Sequence, residues 1–259
     1  MHLLLPPSES KSLGGRGRPL RRRTPDAGPL GRSRAAALGA LTQLVAGDPG
    51  QAAEALLLPA GVATAALAAN AAVLDSPTTP ALHRYTGTVY EGFAVSSLGA
   101  EEQRLAGRST WIFSGLFGVV RGDEPVPAYR VPAKAVLPGL GVASTFWRPV
   151  LADALRLLLR RDLIVDLRST DYAAMWRPPA TMAERVVGVR VLSPLPGGGH
   201  AVISYNSKHA KGRLAAALVR RAVGGKPVRT ADDVAQAWIE CGGTDCGAGP
   251  SGGLDLYSA

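Results

Sequence analysis

The sequence predicts an α/β chain in which short buried strands alternate with helices. Three observations carry that prediction. Met1 to Leu5 is a short apolar run ended by Pro6-Pro7. Leu163 to Leu167, LIVDL, is a second buried run, rich in β-branched residues. Thr145 to Arg161 has helical periodicity: Phe146, Val150, Leu151, Leu155, Leu158 and Leu159 share one side, with Arg148, Arg156, Arg160 and Arg161 mostly off it. At 259 residues the chain makes one large domain or two small ones, and 46% hydrophobic residues supply a sizeable core.

The elements follow in order. After the first strand comes Ser8-Glu9-Ser10-Lys11, polar residues where α/β proteins place ligands, or an ordinary turn. Residues 12–34 are rich in Gly, Pro and Arg (Arg16, Arg18, Arg21, Arg22, Arg23, Arg32, Arg34) against one acid, Asp26. They read as a flexible basic loop, either solvated or lying along a phosphate backbone. Ser33 is a candidate N-cap for a helix over 34–46. Gly47 to Gly50 breaks it, and further helices are expected over 51–58 and 62–74, parted by Pro59-Ala60-Gly61. This Ala-rich stretch is the nearest approach to a membrane span, but Glu54, Pro59 and Gly61 argue for a helical hairpin.

Tyr85 and Tyr90 flank Gly87, and can stack on a base or act as wedges beside a turn. Trp111 to Val120, WIFSGLFGVV, is a strand running into a tight turn, followed by Arg121 to Pro125 and an extended piece through Arg130. After the 163–167 strand, Ser169 or Thr170 caps a helix start in which Asp171 is either a site residue or a first-turn acid. Residues 185–205 read as a hairpin whose returning strand ends at Tyr205 and breaks at Asn206-Ser207. A helix over 207–222 follows. Thr230 caps a last helix, 241–253 is Gly-rich, and 254–257 forms a terminal strand.

Charge narrows the functional classes. Arg outnumbers Lys 24 to 5, which fits a GC-rich coding bias, but the net charge of +9 acts whatever its origin and favours a polyanionic partner. From Ser204 to Thr230 there are seven Lys and Arg and no acid. Lys208, Lys211 and Arg213 crowd the first turns of a helix, where the macrodipole already disfavours cations. They meet an anion there, or they are a solvated face. Cys241 and Cys246 lack the partners for zinc or a disulfide framework and read as free thiols in a reducing, cytoplasmic setting. No signal peptide or transmembrane stretch is expected, and no metal site.

In order, these pieces resemble the YaaA-type peroxide-stress family. The resemblance rests on the first strand with PPSESK, on TGTVYEGF, and on SGLFGVVRGDEPVPAYR. It rests also on Phe146-Trp147, VDLRSTDY and SYNSKHAKGRL. Phe117 stands where the family has Tyr, Ala128 where it has Pro, Asn206 and His209 differ, and CGGTDCGAGPSGG replaces an acidic C-terminal stretch. The resemblance implies a single mixed α/β domain over 1–259, with a mixed central sheet and a positively charged cleft. It implies a cytoplasmic protein that binds DNA, with a helix–hairpin–helix-like element, and that limits free iron and oxidative damage during peroxide stress. By matching position, the cleft residues are Ser8, Lys11, Tyr85, Tyr90, Arg121, Arg130, Asp171, Lys208, Lys211 and Arg213.

Two functions are therefore expected to compete. One is a monomeric binder of duplex or distorted DNA, or of a nucleotide-like anion, without cofactor. The other is an enzyme on a nucleotide, nucleobase or nucleic acid. There Lys208 or Lys11 is base or nucleophile beside Asp171, and Arg130 and Arg213 hold phosphate.

Overall fold

The computed structural model describes residues 1–22, 28–159 and 161–258; Arg23 and Asp26 of the basic loop and Arg160 lie outside the described residues. Twelve strands and ten α-helices occur in it. The strands are β1 (His2–Leu5), β2 (Thr79–Pro80), β3 (Thr110–Ser114), β4 (Gly118–Arg121), β5 (Pro125–Val126), β6 (Val136–Leu137), β7 (Gly141–Val142), β8 (Ile164–Asp166), β9 (Val186–Pro194), β10 (His200–Ala201), β11 (Asp245–Ala248) and β12 (Leu254–Tyr257). The helices are α1 (Gly31–Val45), α2 (Pro49–Ala55), α3 (Ala60–Ala71), α4 (Ala81–Arg84), α5 (Thr88–Phe93), α6 (Ala100–Ser109), α7 (Ala143–Leu158), α8 (Thr170–Ala173), α9 (Ser204–Val223) and α10 (Ala231–Glu240).

An eight-stranded mixed sheet forms the centre, in the order β11-β12-β9-β8-β1-β3-β4, with β10 paired to β9. β1 is parallel to both β3 and β8, and β8 to β9. Leu3, Leu4 and Leu5 are fully buried, as a central strand covered on both faces requires. β4 reverses on β3, and β11 and β12 close the other edge. β12 lies parallel to β9, so the terminal strand expected over 254–257 exists. The Gly-rich segment is itself part of the sheet: Asp245–Ala248 pairs with it as β11.

The helices depart from the sequence expectations mainly at their ends. α1 starts at Gly31, with Leu30 rather than Ser33 in the capping position. α2 is capped by Asp48, whose carboxylate accepts from the Gln51 N–H at 2.8 Å. α2 and α3 meet at a bend of 101°, and no single helix among the described residues is long and apolar enough to cross a membrane. The basic segment is stitched to the body. Gly17 and Thr78 exchange backbone hydrogen bonds, and the buried Arg84 guanidinium donates to the carbonyls of Ser12 and Gly14. Arg34 lies within α1 and pairs with Glu124 at 2.7 Å.

The largest correction concerns 200–207. The returning strand holds only His200 and Ala201, and α9 begins at Ser204, so Asn206 and Ser207 lie inside a helix. Val202 and Tyr205 are 55% and 63% exposed, not buried. The apolar residues there imitate a strand, but beyond Ala201 the segment pairs with no strand among the described residues. The packing of α9 on α5 and β9 sets the conformation instead.

Candidate functional site

A cleft of about 810 Å³ opens beyond the carboxyl ends of β1 and β8. The loop Pro6 to Ser10 forms one wall, and Leu167 to Thr170 with Tyr172 a second. The first turn of α5 and the start of α9 close it, with Ser204, Ser207, Lys208 and Lys211 facing in. This is the ligand position of an open α/β sheet, where adjacent parallel strands leave a crevice at their carboxyl ends. Pro6-Pro7 helps to end β1, since proline donates nothing to the ladder. Gly87 has φ +96°, and a Cβ there would approach Ser8 Oγ to 2.8 Å, so glycine lets the α5 loop close on Ser8.

Beneath the Ser8 loop sits a polar cluster drawn from motifs far apart in sequence. Lys11 Nζ donates to the Ser8 carbonyl at 2.8 Å and lies 4.3 Å from the centre of the Tyr129 ring and 5.1 Å from that of Tyr85. Burial lowers its pKa to about 7; Glu9 opposes the shift, and Arg130 and Arg84 add to it. The Tyr85 and Tyr129 hydroxyls hydrogen-bond each other, and Tyr129 meets Ser114 Oγ at 2.6 Å. Ser114 Oγ in turn accepts from the Leu116 and Phe117 N–H groups, tying down the Gly-rich turn. Tyr90 donates to the Pro6 carbonyl at 2.8 Å and stacks on Tyr85. Burial raises the pKa of all three tyrosines, so their hydroxyls stay protonated.

On the opposite wall Arg168 is buried between Phe113 and Trp176. Its Nε and Nη2 donate to the two oxygens of Asp166 at 2.9 and 2.6 Å. Burial pushes the Asp166 carboxyl up, but the bonds from Arg168 outweigh it and the net pKa is lowered. Lys211 Nζ donates to the Arg168 carbonyl at 3.2 Å. Burial lowers its pKa to about 8 against the opposing pull of Asp166. Arg190 also lines the cleft and forks onto Asp255 through Nε at 2.7 Å. Glu9 is the sole acid among the lining residues, against Arg168, Arg190, Lys208 and Lys211.

The residues singled out in the sequence separate into groups. Ser8, Tyr90, Lys208 and Lys211 line the cleft. Lys11 and Tyr85 lie in the cluster behind it, and Tyr85 is 2% exposed, so neither face of its ring is free to take a base. Arg130 is held at 3.5 Å by Glu9, at the cleft edge. Three residues stand elsewhere. Arg121 ends the edge strand β4 opposite Trp111, near the start of β3, and pairs with Asp123 at 2.6 Å. Arg213 points roughly 200° around the helix from Lys211 and donates to the Cys241 carbonyl. Asp171 pairs with Lys134 at 2.9 Å and is outside the lining, so its cation is Lys134 rather than Lys208 or Lys11. Arg168, Asp166 and Arg190 were missed. The signal for the first pair was an acid and an arginine two apart at the end of a buried strand; for Arg190, the alternation of β9.

Comparison with known proteins shows the family. Residues 1–234 match the family model described as peroxide stress protein YaaA. The chain belongs to that family. YaaA-family relatives cover most of its length. A UPF0246 protein of Streptomyces coelicolor is 40% identical over 85% of this chain and 83% of its own. One from Corynebacterium efficiens is 36% identical over 91% and 90%, and one from Corynebacterium glutamicum 33% over 90% of each. The YaaA match ends within α10, so β11 and β12 lie beyond it.

Proposed function

We propose that this YaaA-family chain binds nucleic acid through the cleft at the ends of β1 and β8, and that it acts in the cytoplasm during peroxide stress. One observation carries the reading: the cleft walls hold four cationic side chains and a single carboxylate, Glu9. Two of the cations, Arg168 and Arg190, are neutralised by Asp166 and Asp255. Lys208 and Lys211 have no carboxylate within ion-pair distance among the described residues. Lys208 projects from the second turn of α9 and Lys211 from the start of the third, on the face that lines the cleft. DNA in duplex or distorted form is the polyanion that the net charge and the family favour. Covering it limits oxidative damage, and an effect on free iron is indirect.

Anisotropy titrations with duplex, junction and bubble DNA test this. Affinity falls steeply between about 50 and 200 mM salt, and Lys208→Ala lowers the salt slope by about one. Absence of binding to all three at low salt refutes the reading.

The cleft volume favours a second reading. At about 810 Å³ it lies within the range of small-ligand sites, so a single nucleotide or nucleobase fits it. Native mass spectrometry of the purified chain tests this; a co-purifying nucleotide shifts the weight to an enzyme on that substrate class.

A further inference from the structure

We propose that Lys211 is a carbonyl-condensing amine, and that the cleft takes a phosphorylated sugar bearing an aldehyde. This rests on the cleft being an anion site and names the ligand class within it.

The geometry comes first. Lys211 lies on the cleft wall, and its Nζ donates to the Arg168 carbonyl at 3.2 Å. The nearby carboxylate, Asp166, is taken up by both arms of Arg168 and does not form an ion pair with Lys211. Lys208, Arg168, Arg190, Glu9, Tyr90 and Tyr172 are the other charged or titratable side chains that line the cleft. Three are cationic, Glu9 is paired with Arg130 and the tyrosines stay neutral, so little holds an ammonium there. Burial accordingly lowers the Lys211 pKa to about 8, which leaves much of the amine unprotonated in mildly alkaline solution. Lys11 is also desolvated, but it is closed off beneath the Ser8 carbonyl and is not part of the wall.

Lys208 supplies the other half of the site. It is exposed, three residues before Lys211 on the same helix face. Side chains so spaced lie about 5–6 Å apart. That matches a sugar whose phosphate meets Lys208 while its carbonyl carbon, a few bonds away, reaches Lys211.

The chemistry balances without a cofactor. The Nζ lone pair attacks the carbonyl carbon and the π pair moves to oxygen. Both protons on nitrogen pass to that oxygen, which leaves as water, and a C=N bond remains. Nothing is oxidised or reduced. Added borohydride delivers hydride to the imine carbon and converts the adduct to a stable secondary amine.

The full chain is incubated near pH 8 with ribose 5-phosphate or, separately, with an oligonucleotide carrying an abasic aldehyde. It is then reduced with borohydride and mapped by peptide mass spectrometry. Lys211 is expected to be labelled about tenfold or more ahead of the exposed Lys134 and Lys226 in the wild-type chain, so the result does not hang on a variant folding. Lys211→Arg is expected to remove the adduct. Labelling by the sugar phosphate alone identifies a small-molecule ligand, and labelling by the oligonucleotide a nucleic-acid one. No adduct with either, equal labelling across the lysines, or an undiminished adduct in Lys211→Arg overturns the proposal. If DNA binding persists in such a case, the inference fails while the anion-site reading stands.

Discussion

Gly92 on α5 and Gly212 on α9 face each other where the two helices cross, and their backbones touch. A Cβ on Gly212 would lie 2.0 Å from the Val89 carbonyl oxygen, and one on Gly92 would lie 2.1 Å from that of His209. The crossing carries Lys211, one residue before Gly212, at the cleft wall. Gly212→Ala forces the helices apart and is expected to cost roughly 1–3 kcal/mol or more, read by urea denaturation. Gly39→Ala in α1 meets nothing within 4 Å and serves as comparator. It is expected to stabilise by about 0.4–1 kcal/mol through the loss of unfolded-state freedom. Equal effects at the two sites would show that the crossing is not tight.

The Asp166–Arg168 pair makes stability depend on pH in acid. Arg168 is 6% exposed, so Arg168→Met strands a buried carboxylate and is expected to cost about 3–5 kcal/mol at neutral pH. The pH dependence follows from the lowered Asp166 pKa. A carboxyl whose folded pKa lies below its unfolded value near 3.9 contributes stability above that value and loses it as pH falls through the folded one. Asp166→Asn should therefore be less stable than wild type at pH 7, and the gap should close in acid. A gap that stays constant from neutral to acid pH would contradict the assignment.

How far the sequence reaches is clear from these residues. The strands over 2–5 and 164–166 were legible because buried parallel strands are continuous apolar runs, and the polar turns after them marked the cleft. The start of α9 was not. Val202, Ile203 and Tyr205 carry strand-like propensity, and only contacts with α5, distant in sequence, decide for helix. Lys208 and Lys211 were legible as cations clustered early in a basic helix, and the structure sets both on the face that lines the cleft. Arg213, two residues further on, was grouped with them on charge and on its place in the matching motif, yet helical geometry turns it toward Cys241. Arg168 was illegible as a buried group because its burial comes from Phe113 and Trp176, on other elements.

Lys11 predicts an alkaline gain in stability. Its folded pKa, about 7, lies below the unfolded value near 10.4, because burial penalises the ammonium. Between those values the unfolded chain binds the extra proton, so stability rises with pH, by at most about 1.4 kcal/mol per unit for one group. Below pH 7 both states are protonated and the full penalty remains. Lys11→Met removes this slope. Urea midpoints from pH 6 to about pH 10 should then rise in wild type relative to the variant; parallel profiles would place the Lys11 ammonium in contact with water.

Arg34 separates structural from ligand-binding arginines in the basic segment. Its Nε donates to the Phe117 carbonyl at 3.2 Å, and its Nη2 to the Val119 carbonyl. Its Nη1 meets Glu124 at 2.7 Å. It thereby clamps α1 onto the Gly-rich turn and strand that carry Ser114 and Phe117, the turn that orients the Tyr129 cluster. Arg34→Ala leaves two carbonyls and a half-buried carboxylate short of donors and is expected to cost about 2–4 kcal/mol. Its effect on the salt slope of DNA binding should be negligible, because the guanidinium is committed inside the fold. Arg16 is exposed instead. Arg16→Ala should leave the unfolding free energy from urea titration within about 0.5 kcal/mol, as surface substitutions do. A salt slope that falls by about one in Arg34→Ala, with stability unchanged, would make Arg34 a phosphate ligand after all.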